Sequence, residues 1–432
     1  MKVVIVGNGI AGITCAQELR KREPEIEILV IGKETEYFFS RTALMYAFMD
    51  KMNRRDLEPF ERQSYARQNI ALLHDEVIDL NHKTQMLCTK AGLQISYDKL
   101  VLALGSRPNL AKWPGMDAVK DGVVHFVSMQ DLDACERLTP STKEAVIVGG
   151  GLIGIELAEC LAFHGIKVTF LIREPFFWPV ALAKEEAALV AAEMENHGIT
   201  VRYNEEICKI ETDSSGRVAQ ILTTQDNVLP AQMLGVCVGV APAIDFLHKV
   251  STPPRLGRGV RVNDELETSL AGVFACGDCA EIQLSEGLPP FVELIWYSAK
   301  RQGALAARNV LGDRSKYSQP IFYNSSKFFE LEYTTVGEVM QLPDGTRSLF
   351  CSMPKKRSSL RIVYDPSRGV IGFNILGARF DNNILEKWIS ERRSVDYCFK
   401  NLKSAQYDVE FGRVPFEKAT IVDLPLDSVK SR

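Results

Sequence analysis

The 432-residue chain carries no surplus of either charge: 51 Lys and Arg stand against 55 Asp and Glu, a net of −4. That balance supplies no drive toward nucleic acid or anionic lipid and points to small molecules or proteins as partners. Long uninterrupted apolar runs are also missing. The most apolar stretch, 145–172, is broken by four glycines in its first ten residues and by Glu156, Glu159 and Lys167. It excludes a membrane span, and a soluble protein is expected. A disulfide framework is absent too. The ten cysteines, at 15, 88, 135, 160, 208, 237, 276, 279, 351 and 398, are scattered over the chain, nearly all alone between apolar neighbours. Such spacing suits buried thiols of a reducing compartment. Residues 2–6 read as a buried strand and leave no room for a secretory leader, so a cytoplasmic location is expected. At roughly 150 residues per domain the length suits about three domains, and the 46% hydrophobic, 25% charged composition is that of a globular chain.

What is present is a long-range repeat. Strand 2–6 runs into Gly7-Asn8-Gly9-Ile10-Ala11-Gly12, followed by a helical stretch to about residue 21 and an apolar strand over 26–31. Strand 145–148 runs into Gly149-Gly150-Gly151-Leu152-Ile153-Gly154 and a segment with Ile153, Leu157, Cys160, Leu161 and His164 at helical spacing, before a return strand over 167–172. In each copy the first glycine (Gly7, Gly149) permits the tight turn out of the strand. The second (Gly9, Gly151) lets backbone N–H groups approach a pyrophosphate, and the third (Gly12, Gly154) lets the helix pack on the sheet. Unpaired N–H donors and the partial positive charge of the helix end favour phosphate there. A single such motif is weak; two, each between a strand and a helix, imply two dinucleotide sites.

Two further segments, Leu102-Ala103-Leu104-Gly105-Ser106-Arg107-Pro108-Asn109 and Gly272-Val273-Phe274-Ala275-Cys276-Gly277-Asp278-Cys279-Ala280, complete a set of four motifs. Together these resemble the pyridine nucleotide-disulfide oxidoreductase superfamily over roughly residues 1 to 315. The resemblance implies an α/β fold of two Rossmann-like, glutathione-reductase-like dinucleotide-binding domains plus a C-terminal α+β interface domain. It implies FAD on the first glycine motif and NAD(P)H on the second. The expected division is an FAD domain of 1–112 and 252–318, an NAD(P)H domain of 113–251 inserted in it, and an interface domain of 319–432 that often helps form a homodimer.

Carried over to matching positions, the resemblance implies that Ala103, Gly105 and Gly277 close the FAD site and that Asp278 contacts the ribityl-phosphate region. Glu34 is the candidate for the adenosine ribose, since a carboxylate accepts from two vicinal hydroxyls. The helix after Glu293 is expected to point its amino end at the flavin, with Trp296 and Tyr297 bordering the ring or packing in the core. Phe328 and Phe329 either approach the ring or, as we expect, pack in the core. Glu156, two residues after Gly154, matches a glutamate near the nicotinamide and flavin, where it helps orient the hydride donor. The lysine that partners it in many relatives is missing at the expected place, and Arg41 is the candidate substitute, which makes Glu156 and Arg41 the expected catalytic pair, with Arg41 also counted to the FAD site and Glu156 to the NAD(P)H site. Arg173, after strand 167–172, resembles the arginine that binds the 2′-phosphate in NADPH-using glutathione reductases. A charge-assisted contact of that kind is worth on the order of 1.5–3 kcal/mol, roughly 10- to 150-fold. It tilts the expectation to NADPH, and Glu174 would restore NADH if the strand ends late.

The segment 36–44 sets the subclass. Arg41 stands where single-cysteine branches place their thiol, and Cys15 has no partner in its helix. The segment is closer to the ferredoxin, rubredoxin and nitrite reductase flavoprotein branches, although both prolines of their Tyr-x-Arg-Pro-Pro-Leu pattern are missing. Cys276 and Cys279 have C-x-x-C spacing but flank the Gly-Asp of the FAD site, and no second pair exists to complete a zinc site. They are expected to be bystanders, with no metal bound. The expected activity is hydride transfer from NAD(P)H to FAD and onward electron transfer to a ferredoxin- or rubredoxin-type carrier or a small acceptor. The alternatives are an NADH oxidase, a thiol/disulfide reductase, or a signalling or assembly protein of apoptosis-inducing-factor type. Lys355-Lys356-Arg357 is a solvated turn or a patch for an acidic carrier.

Overall fold

The computed structural model describes every residue except 286, 341, 343, 368, 408–412 and 426–432. By internal contacts the chain forms two units. One is Met1–Leu110 with His125–Arg137 and Gly239–Ser318; the other is Ala111–Val124 with Leu138–Val238 and Gln319–Arg432. Residues 125–137, inside the segment expected to hold NAD(P)H, thus group with the first unit, and 319–432 group with the second.

The first unit is built on a parallel sheet in the order Val273–Ala275, Lys99–Leu102, Lys2–Val6, Glu27–Gly32, Ile70–His74. Val3, Val4 and Ile5 are fully buried, as the continuous apolar run of a strand covered on both faces demands. The helix Ile10–Arg22 buries Gly12, Cys15, Ala16 and Leu19, an i, i+3, i+4, i+7 stripe, and ends in Arg20, Lys21 and Arg22, where cations suit its carbonyl end. The chain moves outward to one side of Lys2–Val6 and returns on the other. A crevice therefore opens beyond the carboxyl end of that strand, where ligands of doubly wound sheets bind.

The second unit repeats the plan with a parallel sheet in the order Thr200–Tyr203, Lys167–Ile172, Glu144–Val148, Met233–Val236, Val123–Val124. Its helix Leu152–Phe163 buries Gly154, Ile155, Leu157, Ala158, Cys160 and Leu161. Ile153 and His164, expected on that face, are only half-buried. Gly154 lies against the sheet, where a Cβ would stand 2.9 Å from the Phe170 ring.

The same unit carries a six-stranded antiparallel sheet in the order Tyr323–Phe328, Leu331–Gly337, Gly369–Leu376, Ser358–Asp365, Arg347–Met353, Thr420–Pro425. Read as sequence, the runs 360–365 and 370–376 about Pro366-Ser367-Arg368-Gly369, after a turn at Pro343-Asp344-Gly345, suit a β-hairpin, and 384–389 begins a helix; both are present, the helix as Asn382–Ser390 capped by Asp381. Of the turn residues expected around them, Pro343 and Arg368 lie outside the described residues. Phe328 is fully buried among Phe177, Trp178 and Tyr333, with ring centroids 5.6–6.3 Å away, so it packs in the core. Phe329 stacks on His197 at 4.2 Å. Arg361, 1% exposed, donates to Glu186 at 2.6 and 2.8 Å, to Glu185 at 2.7 Å and to Ser348 at 2.8 Å, pinning the sheet to the helix Lys184–Asn196. Among the described residues no helix is long and apolar enough to cross a membrane.

Candidate functional site

In the first unit the glycine loop divides into positions closed by protein and one left open. A Cβ on Gly7, whose φ is +117°, would lie 2.0 Å from the Ala103 carbonyl oxygen. On Gly12 it would lie 2.0 Å from the Gly7 carbonyl oxygen and 3.3 Å from Ala103 Cβ. These glycines and Ala103 are required by the fold. A Cβ on Gly9 would meet nothing within 4 Å. Gly9 caps the helix without any side-chain bond to its free amides, and Asn8 Oδ1 is buried beside it with no partner while its Nδ2 donates to Glu36 O at 2.9 Å. An uncapped helix end and open space together suit a phosphate group held by backbone N–H donors, while the Asn8 oxygen, itself an acceptor, suits a hydroxyl and not the phosphate.

Around this loop the structure gathers the other candidates. The Asp278 carboxylate accepts from Ser106 Oγ at 2.7 Å, which ties the turn holding Gly105 to the turn Gly277–Cys279. Burial pushes the Asp278 carboxyl above the ordinary carboxylate range, against the Ser106 bond and the charge of Arg41, which pull it down. Glu34 accepts two bonds from Arg41, at 3.1 and 2.7 Å, and one from the Met129 N–H at 2.8 Å. A carboxylate has about four acceptor sites, so Glu34 retains room for one ribose hydroxyl without displacing Arg41. Arg41 also donates to the Val127 carbonyl and lies 5.0 Å over the Phe39 ring. The sequence offered no hint of Val127 and Met129, because both act through backbone atoms. Trp296 opens the helix Trp296–Val310, half-buried, with Tyr297 edge-on at 5.3 Å and Lys300 at 5.4 Å from its ring. No side chain caps that helix at Ile295.

Eight of the ten cysteines are buried, Cys88 is half-buried and Cys208 is exposed. Among the described residues no cysteine forms a disulfide. Cys276 and Cys279 have no exposed surface; burial holds the Cys276 thiol well above its usual range and pushes Cys279 up to about 12. Cys279 Sγ is engaged by the Leu104 N–H and the Leu102 carbonyl, both at 3.3 Å. Thiolate, the reactive form, is therefore scarce at neutral pH.

The glycine loop of the second unit has the same logic. A Cβ on Gly149 (φ +113°) would lie 2.2 Å from Cys237 O, one on Gly154 would lie 2.4 Å from Gly149 O, and one on Gly151 would meet nothing within 4 Å. Gly151 caps its helix without a side-chain bond. Half-buried Glu156 projects from the first turns of this helix. Desolvation, and then the like charge of Glu159, push its carboxyl up to about 7. Glu159, one turn on, was not singled out by sequence, although its i+3 spacing from Glu156 was there to see. Its Oε2 accepts the Phe329 N–H at 2.9 Å.

Arg173 is exposed and donates to Glu174 at 2.8 Å. Glu193, His197 and Glu330 bring ligand atoms within 4.8 Å of one another. Arg357 already donates to both oxygens of Glu193, at 3.0 and 2.9 Å, so this is an ion-pair cluster. It also takes Arg357 out of the basic run, and Lys356 donates to Arg413 O at 3.2 Å.

Comparison with known proteins agrees with this geometry. The family model described as pyridine nucleotide-disulphide oxidoreductase matches residues 1–303. An NADH oxidase of Methanocaldococcus jannaschii is 29% identical over 351 residues, 78% of this chain and 76% of that protein. The assimilatory nitrate reductase electron transfer subunit of Bacillus subtilis is 29% identical over 282 residues, 65% of this chain. The matched part is only 36% of that relative's own length. Among solved structures, a ferredoxin reductase from Rhodopseudomonas palustris covers 87% of this chain and 91% of its own with a TM-score of 0.78 at 22% identity, a likeness of fold.

Proposed function

The chain belongs to the pyridine nucleotide-disulphide oxidoreductase family, and from that premise we propose that it is an FAD-dependent NAD(P)H oxidoreductase that feeds a ferredoxin- or rubredoxin-type carrier or a small acceptor. One observation carries the reading. Twice in one chain, an uncapped helix end coincides with a glycine, Gly9 and Gly151, whose missing side chain leaves space that no protein atom fills. FAD would be held by Gly7, Gly9, Gly12, Glu34, Arg41, Ala103, Gly105, Gly277, Asp278 and Trp296, and the nucleotide by Gly149, Gly151, Gly154, Glu156 and the segment at Arg173. When bound, FAD supplies a two-electron acceptor for hydride and a donor to the next carrier. The reading keeps 1–112 with 252–318 for FAD, 113–251 for the nucleotide and 319–432 as an interface pairing two copies in the cytoplasm. The burial of Cys276 and Cys279, which holds both thiols protonated, speaks against the thiol alternative.

Glu156 acts on the nucleotide. Its carboxylate favours the positive charge that the NADH ring acquires on giving up hydride. Flavin reduction is therefore expected to accelerate as pH rises through about 7, where this carboxyl ionises, and Glu156→Gln should flatten the profile; stopped-flow absorbance across that range is the measurement. Stability runs the other way. Folded, the group keeps its proton up to about 7, whereas its ordinary value is 4.5. The folded state binds more protons between those values, so this group's contribution to stability is full below 4.5 and declines as pH rises to about 7.

The internal repeat supports NADH rather than the NADPH suggested by Arg173. Val6 pairs with Ile31 and Val148 with Leu171, and the Gly7 and Gly149 amides donate to the Ile31 and Leu171 carbonyls. Three residues further on stand Glu34 and Glu174. Lys33 and Arg173 then occupy matching outward positions at 70% and 68% side-chain exposure, with Glu34 and Glu174 at 24% and 30%. Glu174 is accordingly the ribose acceptor, and Arg173 is its ion-pair partner. Anaerobic mixing with each nucleotide tests both points: NADH should bleach the flavin absorbance, and Glu174→Gln should cost roughly tenfold or more in kcat/KM for NADH while NADPH gains. Failure of both nucleotides to bleach the parent protein would sink the oxidoreductase reading; a parent preference for NADPH would sink the role of Glu174 alone.

A further inference from the structure

The turn Gly277–Cys279 that presents Asp278 is held from behind by a buried polar relay outside the motifs. The Gly277 N–H donates to Gln302 Oε1 at 2.8 Å, and Gln302 Nε2 donates to Glu293 Oε2 at 3.1 Å. Tyr317 OH donates to the same Glu293 oxygen. Gln302 has no exposed surface, and its amide is oriented without ambiguity: only its oxygen can take an N–H, and only its nitrogen can give to a carboxylate. Burial and the Glu293 bond raise the Tyr317 hydroxyl, so it stays a donor.

The surroundings leave this turn little choice of position. A Cβ on Gly303 would lie 2.2 Å from Ala11 O, and one on Gly277 would lie 2.9 Å from Ala11 Cβ. The helix Trp296–Val310, the amino end of Ile10–Arg22 and the Gly277 turn therefore meet at backbone distance, with Gln302 at the junction. Without its acceptor the Gly277 N–H would be buried and unpaired, at a cost of about 1–3 kcal/mol. The turn would relieve that cost by moving, and Asp278 would move with it.

We propose that Gln302 is a positioning residue of the flavin site: through the relay Gly277, Gln302, Glu293, Tyr317 it fixes where Asp278 stands relative to the helix end at Gly9. The inference rests on the assignment of FAD to the first unit. Apoprotein is titrated with FAD, and the visible circular dichroism of the bound flavin is recorded. Gln302→Leu should weaken FAD binding about tenfold or more and alter that spectrum. Gln302→Glu, whose neutral carboxyl can accept from Gly277 and donate to Glu293, should restore both to within about threefold of the parent. If Gln302→Leu does not fold, Tyr317→Phe, which removes the hydroxyl that meets Glu293 and Gln302, should still weaken FAD binding about threefold. Parent-like affinity and spectrum in Gln302→Leu, or in Tyr317→Phe where that variant stands in, would overturn the proposal. A parent protein that takes up no FAD would instead remove the assignment beneath it.

Discussion

Gly9→Ala should yield a first unit that folds like the parent yet retains no FAD, whereas Gly12→Ala should fail to fold that unit. The two substitutions add the same methyl group three residues apart. At Gly12 the methyl would sit 2.0 Å from the Gly7 carbonyl oxygen, inside the contact between helix and strand, where neither backbone can yield. Overpacking of side chains alone costs about 1–3 kcal/mol, and a backbone clash this close should exceed about 3 kcal/mol, despite the better helix propensity of alanine. At Gly9 the methyl meets no protein atom, so unfolding of the apoprotein should shift by less than about 1 kcal/mol. The methyl would fill the space through which the free amides reach a phosphate. Each charge-assisted bond lost there is worth about 1.5–3 kcal/mol, roughly 10- to 150-fold in affinity. Flavin content after purification and denaturant unfolding of apoprotein separate the two outcomes. Equal loss of folding in both variants would mean that the open space at Gly9 is structural.

Arg361→Ala should destabilise the second unit by about 3–5 kcal/mol, because it strands the fully buried Glu186 carboxylate without its partner. Replacing the pair is a different perturbation. Arg361→Met combined with Glu186→Leu removes both charges together, and such exchanges are often neutral or stabilising; the double variant should recover most of the loss. Chemical denaturation followed by a probe in the second unit gives the comparison. A loss below about 1 kcal/mol in the single variant would show that water reaches Glu186.

Much of this was legible in the sequence because it depends on local rules. The buried strands announced themselves as apolar runs, and the two glycine loops by their spacing between a strand and a helix. Glu34 and Asp278 could be singled out because each stands at a fixed distance from a strand end. Arg41 was seen too, as a candidate partner for Glu156 and as an FAD-site residue, but its bonds to Glu34 and the Val127 carbonyl were not. The segment 125–137, which supplies that carbonyl, carries no sequence mark of its attachment to the first unit, since backbone atoms are the same in every residue.

Glu174 shows the boundary most clearly. From sequence alone Arg173 and Glu174 compete for one role, and a one-residue uncertainty in the strand end decides between them. The register of Lys167–Ile172 against Glu144–Val148 removes that uncertainty only once the sheet is formed. Local sequence was enough to find the two glycine loops, each between a strand and a helix, because each is encoded by neighbours within a few residues. The tertiary structure alone decided that Arg361 closes a buried ion pair with Glu186, that Phe329 holds Glu159, and that Gln302 supports the turn of Asp278. Those partners lie 175, 170 and 25 residues apart, and over such separations only the packing of whole elements brings a donor to its acceptor.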